Sequence, residues 1–178
     1  MFFIPGWLVE LITFPGVIVH EIAHRIFCHL TGVPVYDVRY FKVAGHPSGY
    51  VIHGHPKNLR SAFLISIGPL IVNTLLCALL GFVGVVPILI LNDAAPQFAS
   101  GIMLWLGISI GMHAFPSNHD AREFAAQVQA ARGTGVLYYI ATLFSGLLTV
   151  TNFLRVIWFD AIYAIAVSFA LPLAFGLN

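Results

Sequence analysis

Long apolar stretches separated by short polar segments run along most of the chain. A helix needs about 20 apolar residues to span the roughly 30 Å hydrocarbon core of a membrane. Four stretches approach or exceed this length, and they cover residues 5–31, 59–83, 98–115 and 136–173. This pattern predicts an all-α polytopic membrane protein with about five transmembrane helices.

Two of these stretches are expected to be interrupted. Pro15 predicts a kink or a helix restart inside the first one. The last one is too long for one span, and a break near residues 151–155 would divide it into two. We expect a single membrane-embedded domain over residues 1–178, with a core at about 15–121 and C-terminal helices at 136–175.

The polar insert between the first two spans has the pattern of a β-hairpin. Residues 33–40 alternate between apolar and polar, as in a half-buried strand. Residues 49–53 form a second short β candidate, and Gly45, Pro47 and Gly49 supply turn residues between them. We therefore expect a short cytoplasmic hairpin at the membrane surface, between helices 1 and 2.

Composition supports membrane insertion and excludes two other classes of protein. Hydrophobic residues make up 59% of the chain, charged residues 8%, and the mean hydropathy is +0.91. A soluble domain carries about 25% charged residues, so an ordinary water-soluble globular protein is excluded. The formal net charge is only +1, which argues against a nucleic-acid partner. Cys28 and Cys77 lie in apolar runs and are expected to be buried, inert thiols.

The distribution of Lys and Arg predicts the orientation in the membrane. With the N-terminus outside, all but Arg155 of the eight fall on one side, which should be the cytoplasm. The seven are Arg25, Arg39, Lys42, Lys57, Arg60, Arg122 and Arg132. The eight histidines come from three separate stretches and also converge on this side, so we expect a site near the cytoplasmic face of the inner membrane.

His20-Glu21-Ile22-Ala23-His24 is an HExxH motif. On a helix, positions i and i+4 share a face, so both imidazoles can bind one metal ion, while Glu21 lies beside it as a general base. Two imidazoles and one carboxylate with an open fourth position form a catalytic zinc site. With histidine at 8 of 178 positions, the motif is expected by chance roughly 0.006 times.

The third ligand must come from another segment. Asp120 is the first choice because a carboxylate completes a His₂–acid set, and His113 and His119 are the alternatives. Ser117, after Pro116, is expected to cap a new helix. Glu10 is assigned to the opposite interface and given no chemistry, since a straight helix places it about 16 Å from Glu21.

Two further features are candidates for substrate binding. Asn73 lies inside the second span and needs a hydrogen-bond partner there, which is either substrate backbone or a neighbouring helix or hairpin. An extended substrate can add as a strand to the hairpin edge at Gly49, Tyr50 and Val51. Asp160 is expected on the far side of the membrane.

The order of these motifs resembles the site-2 protease family of intramembrane zinc metallopeptidases, and most closely its small, minimal prokaryotic members. The resemblance covers about residues 15–121: HExxH on a membrane helix, a hairpin, Gly68-Pro69…Asn73, then an Asp after the next span. It implies one Zn²⁺ bound by His20, His24 and Asp120, with Glu21 as base and Asn73 holding substrate. The chain departs from the family in two motifs. The family's GPxxN has one extra residue here, between Pro69 and Asn73, and of the family's NPxDG only the Asp is present, as Asp120.

The expected function is therefore hydrolysis of peptide bonds in or near membrane-spanning substrates. The partners would be the lipid bilayer and a membrane protein or peptide. The alternative is a zinc-binding membrane protein without proteolysis, either a metal transporter or an inactive regulatory scaffold. A transporter needs access from both sides of the membrane, whereas the candidate ligands gather on one.

Overall fold

The computed structural model describes residues 5–43, 47–90, 94–131, 133 and 135–176. Its elements in chain order are α1 (Gly6–Ile12), α2 (Phe14–Leu30), β1 (Val35–Arg39), β2 (Tyr50–His53), α3 (Leu59–Ile90), α4 (Ala94–Met112), α5 (Asn118–Ala131), α6 (Val136–Leu154), a 3₁₀ turn (Arg155–Ile157) and α7 (Phe159–Ala174). The predicted helical architecture and the hairpin between α2 and α3 are confirmed, and β1 pairs antiparallel with β2.

Fewer helices than expected are long enough to cross a membrane. Among the described residues, segments Leu59–Ile88 and Val136–Ile157 have the necessary length and apolarity, and the bent pair α1–α2 makes a third if it is one span. The shorter apolar helices are Gln97–Met112 and Phe159–Ala174. The expectation of about five spans is therefore not confirmed.

The first apolar stretch is sharply broken. The axes of α1 and α2 differ by 86°, and Thr13 lies between the two helices. Pro15 stands in the first turn of α2, where a missing N–H costs no hydrogen bond. The predicted interruption is thus confirmed at the helix start.

This bend overturns the placement of Glu10. The Ser48 hydroxyl donates a hydrogen bond to the Glu10 carboxylate, and Glu10 lines the same cavity as Glu21. The expectation that Glu10 belongs to the opposite interface is wrong, because it assumed a straight helix from residue 10 to residue 21.

Helix α3 is the central element against which the other helices pack. Ile65 packs with Cys28 of α2 in a small buried cluster. The backbone of α4 comes close to three successive positions on α3, with Gly111 near Cys77, Gly107 near Gly81, and Leu104 near Gly84. Glycines at these crossings allow the close approach of helices that is typical of membrane proteins.

Helices α6 and α7 follow α3 in one direction. Phe144 of α6 packs on Phe63, Tyr163 of α7 is hydrogen-bonded to Thr74 at 2.6 Å, and Ser168 lies against Gly81. The predicted break in the last stretch is confirmed, since α6 ends at Leu154 and Trp158 has a φ of 61°. Because these contacts follow the residue order of α3, both α6 and α7 run along α3 in the same direction.

We expect the close α3–α7 contact to be sensitive to the smallest added side chain. A Cβ at Gly81 would overlap the backbone of Ser168, so Gly81→Ala should lower the free energy of unfolding by about 1–3 kcal/mol. Gly101→Ala is the matched control in a helix, since no atom of the described residues lies within 4 Å of its Cβ position. Thermal unfolding in one detergent would compare them, and equal midpoints would contradict this packing.

Candidate metal centre

Helix α2 places the two histidines of the HExxH motif side by side. His20 and His24 are four residues apart and therefore share a face. They are 7% and 5% exposed, and their Nε2 atoms are 3.1 Å apart. Two buried imidazole nitrogens at this separation are positioned to bind the same ion.

Asp120 completes the group from the first turn of α5. Its Oδ2 lies 3.8 Å from Nε2 of His20 and 3.6 Å from Nε2 of His24. A point equidistant from the three atoms is about 2.0 Å from each, which equals the Zn–N and Zn–O distances of protein sites. Among the described residues, this group can hold a metal ion.

The start of α5 positions Asp120. Ser117 donates to the Asp120 carboxylate through its N–H at 2.9 Å and its hydroxyl at 2.7 Å. The Asp120 N–H donates back to the Ser117 Oγ at 3.2 Å. This is a reciprocal capping arrangement, as expected for Ser117, and it holds the carboxylate toward α2.

Asp120 has the charge that a metal ligand requires. Burial alone would raise the pKa of the Asp120 carboxyl, but the adjacent imidazoles of His24 and His20 outweigh this effect and hold the pKa well below its ordinary value. The carboxylate form is therefore favoured even before any ion binds.

The two alternative ligands lie elsewhere. The His113 ring is within 2.8 Å of the Thr13 hydroxyl. Its carbonyl, rather than its ring, faces the site and accepts a hydrogen bond from Nδ1 of His20 at 2.6 Å. His119 is exposed and lines the cavity. Asp120 is thus the residue that the fold brings to the two histidines.

Asn73 of α3 helps to position His20 through the backbone at the end of α4. It is completely buried, and its amide donates to the carbonyls of Ile110 at 3.1 Å and His113 at 3.0 Å. The same His113 carbonyl accepts from His20. Asn73 therefore fixes a backbone group that orients a histidine, whereas the predicted substrate contact would require this completely buried side chain to become accessible.

The three candidate ligands face a cavity of about 1100 Å³. Glu21 is buried and lines it, together with Gly49, Tyr50 and Val51 of the hairpin. A Cβ at Gly49 would lie 2.8 Å from Cγ of Glu21, so a residue without a side chain is needed for the hairpin to come this close. The predicted base and the predicted substrate strand thus share one wall.

Residues of β2 and its flanks line this cavity. Ser48 and Gly54, which flank the strand, direct a C=O and an N–H toward the β1 side. Since backbone direction alternates along a strand, the polar groups of Gly49, Val51 and His53 point to the opposite edge. Among the described residues β2 pairs only with β1, so its other edge is available for strand addition.

Sequence reasoning missed Arg155 and Asp160, which also line the cavity. Nη2 of Arg155 donates to the carbonyls of Phe115 at 3.0 Å and Pro116 at 3.4 Å. Nε of Arg155 forms an ion pair with Asp160 at 3.0 Å. The pair holds the segment that leads into Ser117 and Asp120, and a charged pair inside an apolar stretch is a signal that should have identified it.

The expectation that Asp160 lies on the far side of the membrane is wrong. It assumed that the last stretch folds into two opposed spans. Because α7 instead begins at the level of the metal group, Asp160 in its first turn faces the cavity.

Comparisons of the chain with protein-family models, with curated proteins and with solved structures found no match.

Metal binding should depend on the three side chains that converge and not on the other two histidines. His20→Ala, His24→Ala and Asp120→Ala should each weaken zinc binding by at least roughly tenfold, because each removes a direct ligand. His113→Ala and His119→Ala should retain the ion, since the first keeps the backbone carbonyl and the second lies outside the group. Metal analysis of the purified variants would test this, and a loss confined to His113→Ala or His119→Ala would identify a different third ligand.

Proposed function

We propose that this protein is an intramembrane zinc metallopeptidase of the site-2 protease type, which hydrolyses peptide bonds in or near membrane-spanning substrates. The observation that carries the proposal is the convergence of His20, His24 and Asp120 around a point about 2.0 Å from each. Glu21 lies in the same cavity, as such a reaction requires.

Zinc is the ion that fits this ligand set, because two imidazoles and one carboxylate leave one position open for chemistry. When bound, the ion would act as a Lewis acid that polarises the scissile carbonyl and acidifies the attacking water. The His20 ring is held in one tautomer by the His113 carbonyl, so its Nε2 lone pair faces the site.

Glu21 is the general base in this proposal. Its carboxylate takes a proton from the attacking water and passes that proton to the leaving amine. Its burial in α2 keeps it next to the two histidines.

The substrate binds as an extended strand along β2. Helical peptide carbonyls are already hydrogen-bonded, so a membrane-spanning substrate must unwind locally before its scissile bond is accessible. The outward polar groups of Gly49, Val51 and His53 would then replace the hydrogen bonds lost on unwinding. The substrate backbone would then lie along the open edge of β2, in the cavity that Glu21 also lines.

In this proposal the five apolar helices are embedded in the inner membrane; they are α2, α3, α4, α6 and α7. The cavity opens toward the cytoplasmic face of that membrane. Lys and Arg around the hairpin favour that orientation. Apolar side chains on the outer faces of α3 and α6 agree with lipid contact, since Leu79 is 58% and Leu143 is 78% exposed.

Glu21→Gln separates catalysis from metal binding. Removal of the base should lower kcat by roughly 100- to 10,000-fold, while zinc content and thermal stability stay near those of the wild type. Cleavage of a membrane-spanning substrate in proteoliposomes provides the readout. Persistent cleavage would contradict the assignment of the base, and zinc transport without hydrolysis would favour the transporter alternative.

Val51→Pro tests the strand edge. The substitution removes one outward N–H, which an edge strand tolerates without loss of its pairing to β1. One missing backbone hydrogen bond should reduce kcat/KM by about tenfold. Val51→Ala is the control, because it removes side-chain atoms and keeps the N–H. Equal activities of the two variants would argue against strand addition at this edge.

A further inference from the structure

The two histidines of the metal group differ in how their second ring nitrogens are bound. Nδ1 of His20 donates to the His113 carbonyl, which Asn73 also holds. Nδ1 of His24 is buried and has no hydrogen-bond partner among the residues that the structure describes. A histidine that binds a metal through Nε2 carries its proton on Nδ1 and nearly always donates it to an oxygen.

A second cavity lies next to His24. Its volume is about 240 Å³, and His24, Asp120, Ile65 and Ser66 are among the residues that line it. Ser66 is 5% exposed, and its Oγ likewise has no partner among the described residues. Two buried polar groups that each need a hydrogen bond therefore line the same small space.

Pro69 leaves a third polar group, a backbone carbonyl, without its usual helical partner. It lies inside α3, and proline has no N–H to donate to the carbonyl four residues earlier. The carbonyl of Ile65 is thus released from the helical ladder one turn before Pro69. Ile65 packs beside Cys28, which is one turn from His24 on α2.

We propose that a water molecule bound in this cavity accepts the Nδ1–H of His24 and donates to the Ser66 hydroxyl and the Ile65 carbonyl. Three polar partners are what a buried water usually has. Ser66 is then a positioning residue that acts on the metal through His24, as Asn73 acts through His20. The inference rests on the proposed metal centre and extends it.

The test is a zinc titration of the full-length protein in detergent, by competition with a chelator. Ser66→Ala should raise the Kd for zinc about tenfold, and Ser66→Thr, which keeps the hydroxyl, should restore it. Pro69→Ala should also raise the Kd, because the new N–H occupies the Ile65 carbonyl. Ser100→Ala is the control, since Ser100 is a buried serine (4% exposed) near Gly84 and away from the site.

The outcomes distinguish this inference from the proposed function. A Ser66→Ala Kd within about twofold of the wild type would overturn the positioning role while leaving the metal centre intact. A Ser66→Thr variant as weak as Ser66→Ala would also overturn it, because the hydroxyl would then not be responsible. Absence of zinc binding by the wild type would overturn both. Should Ser66→Ala fail to fold, Ser66→Thr and Pro69→Ala decide between these outcomes.

Discussion

The structure depends on bringing one carboxylate to two buried imidazoles. His20 and His24 are polar groups within an apolar helix, and their burial is costly unless they have partners. Asp120 supplies a carboxylate oxygen 3.6–3.8 Å from their Nε2 atoms. An ion at the centre of the three, as we propose, would satisfy all of them together.

The interruptions in the helices meet at the level of this group. The bend at Thr13, the segment between α4 and α5, and the break after α6 all leave backbone carbonyls without helical partners. Side chains bind several of these carbonyls: Asn73 binds those of Ile110 and His113, and Arg155 binds those of Phe115 and Pro116. These breaks border the cavity that holds the site, where irregular backbone can find polar partners.

The parts of this arrangement that sequence could predict are local. The HExxH spacing places His20 and His24 on one helical face, and alternation over residues 33–40 predicts the first strand of the hairpin. Asp120 could be preferred as the third ligand because it is a carboxylate, and Ser117 could be predicted as a helix cap because it follows Pro116. The 86° bend that carries Glu10 to the hairpin, and the common direction of α6 and α7, depend on contacts between distant segments. No periodicity in the sequence encodes those contacts, so the placements of Glu10 and Asp160 were wrong.

X-ray absorption spectroscopy of the purified, zinc-loaded protein tests the central claim most directly. We expect a first shell of nitrogen and oxygen atoms at about 2.0–2.2 Å, with two of the ligands showing the outer-shell scattering of imidazole. Asp120→Ala should remove one oxygen ligand from this shell and keep both imidazoles. A spectrum dominated by sulfur, or one without imidazole scattering, would contradict binding of a metal ion by His20, His24 and Asp120.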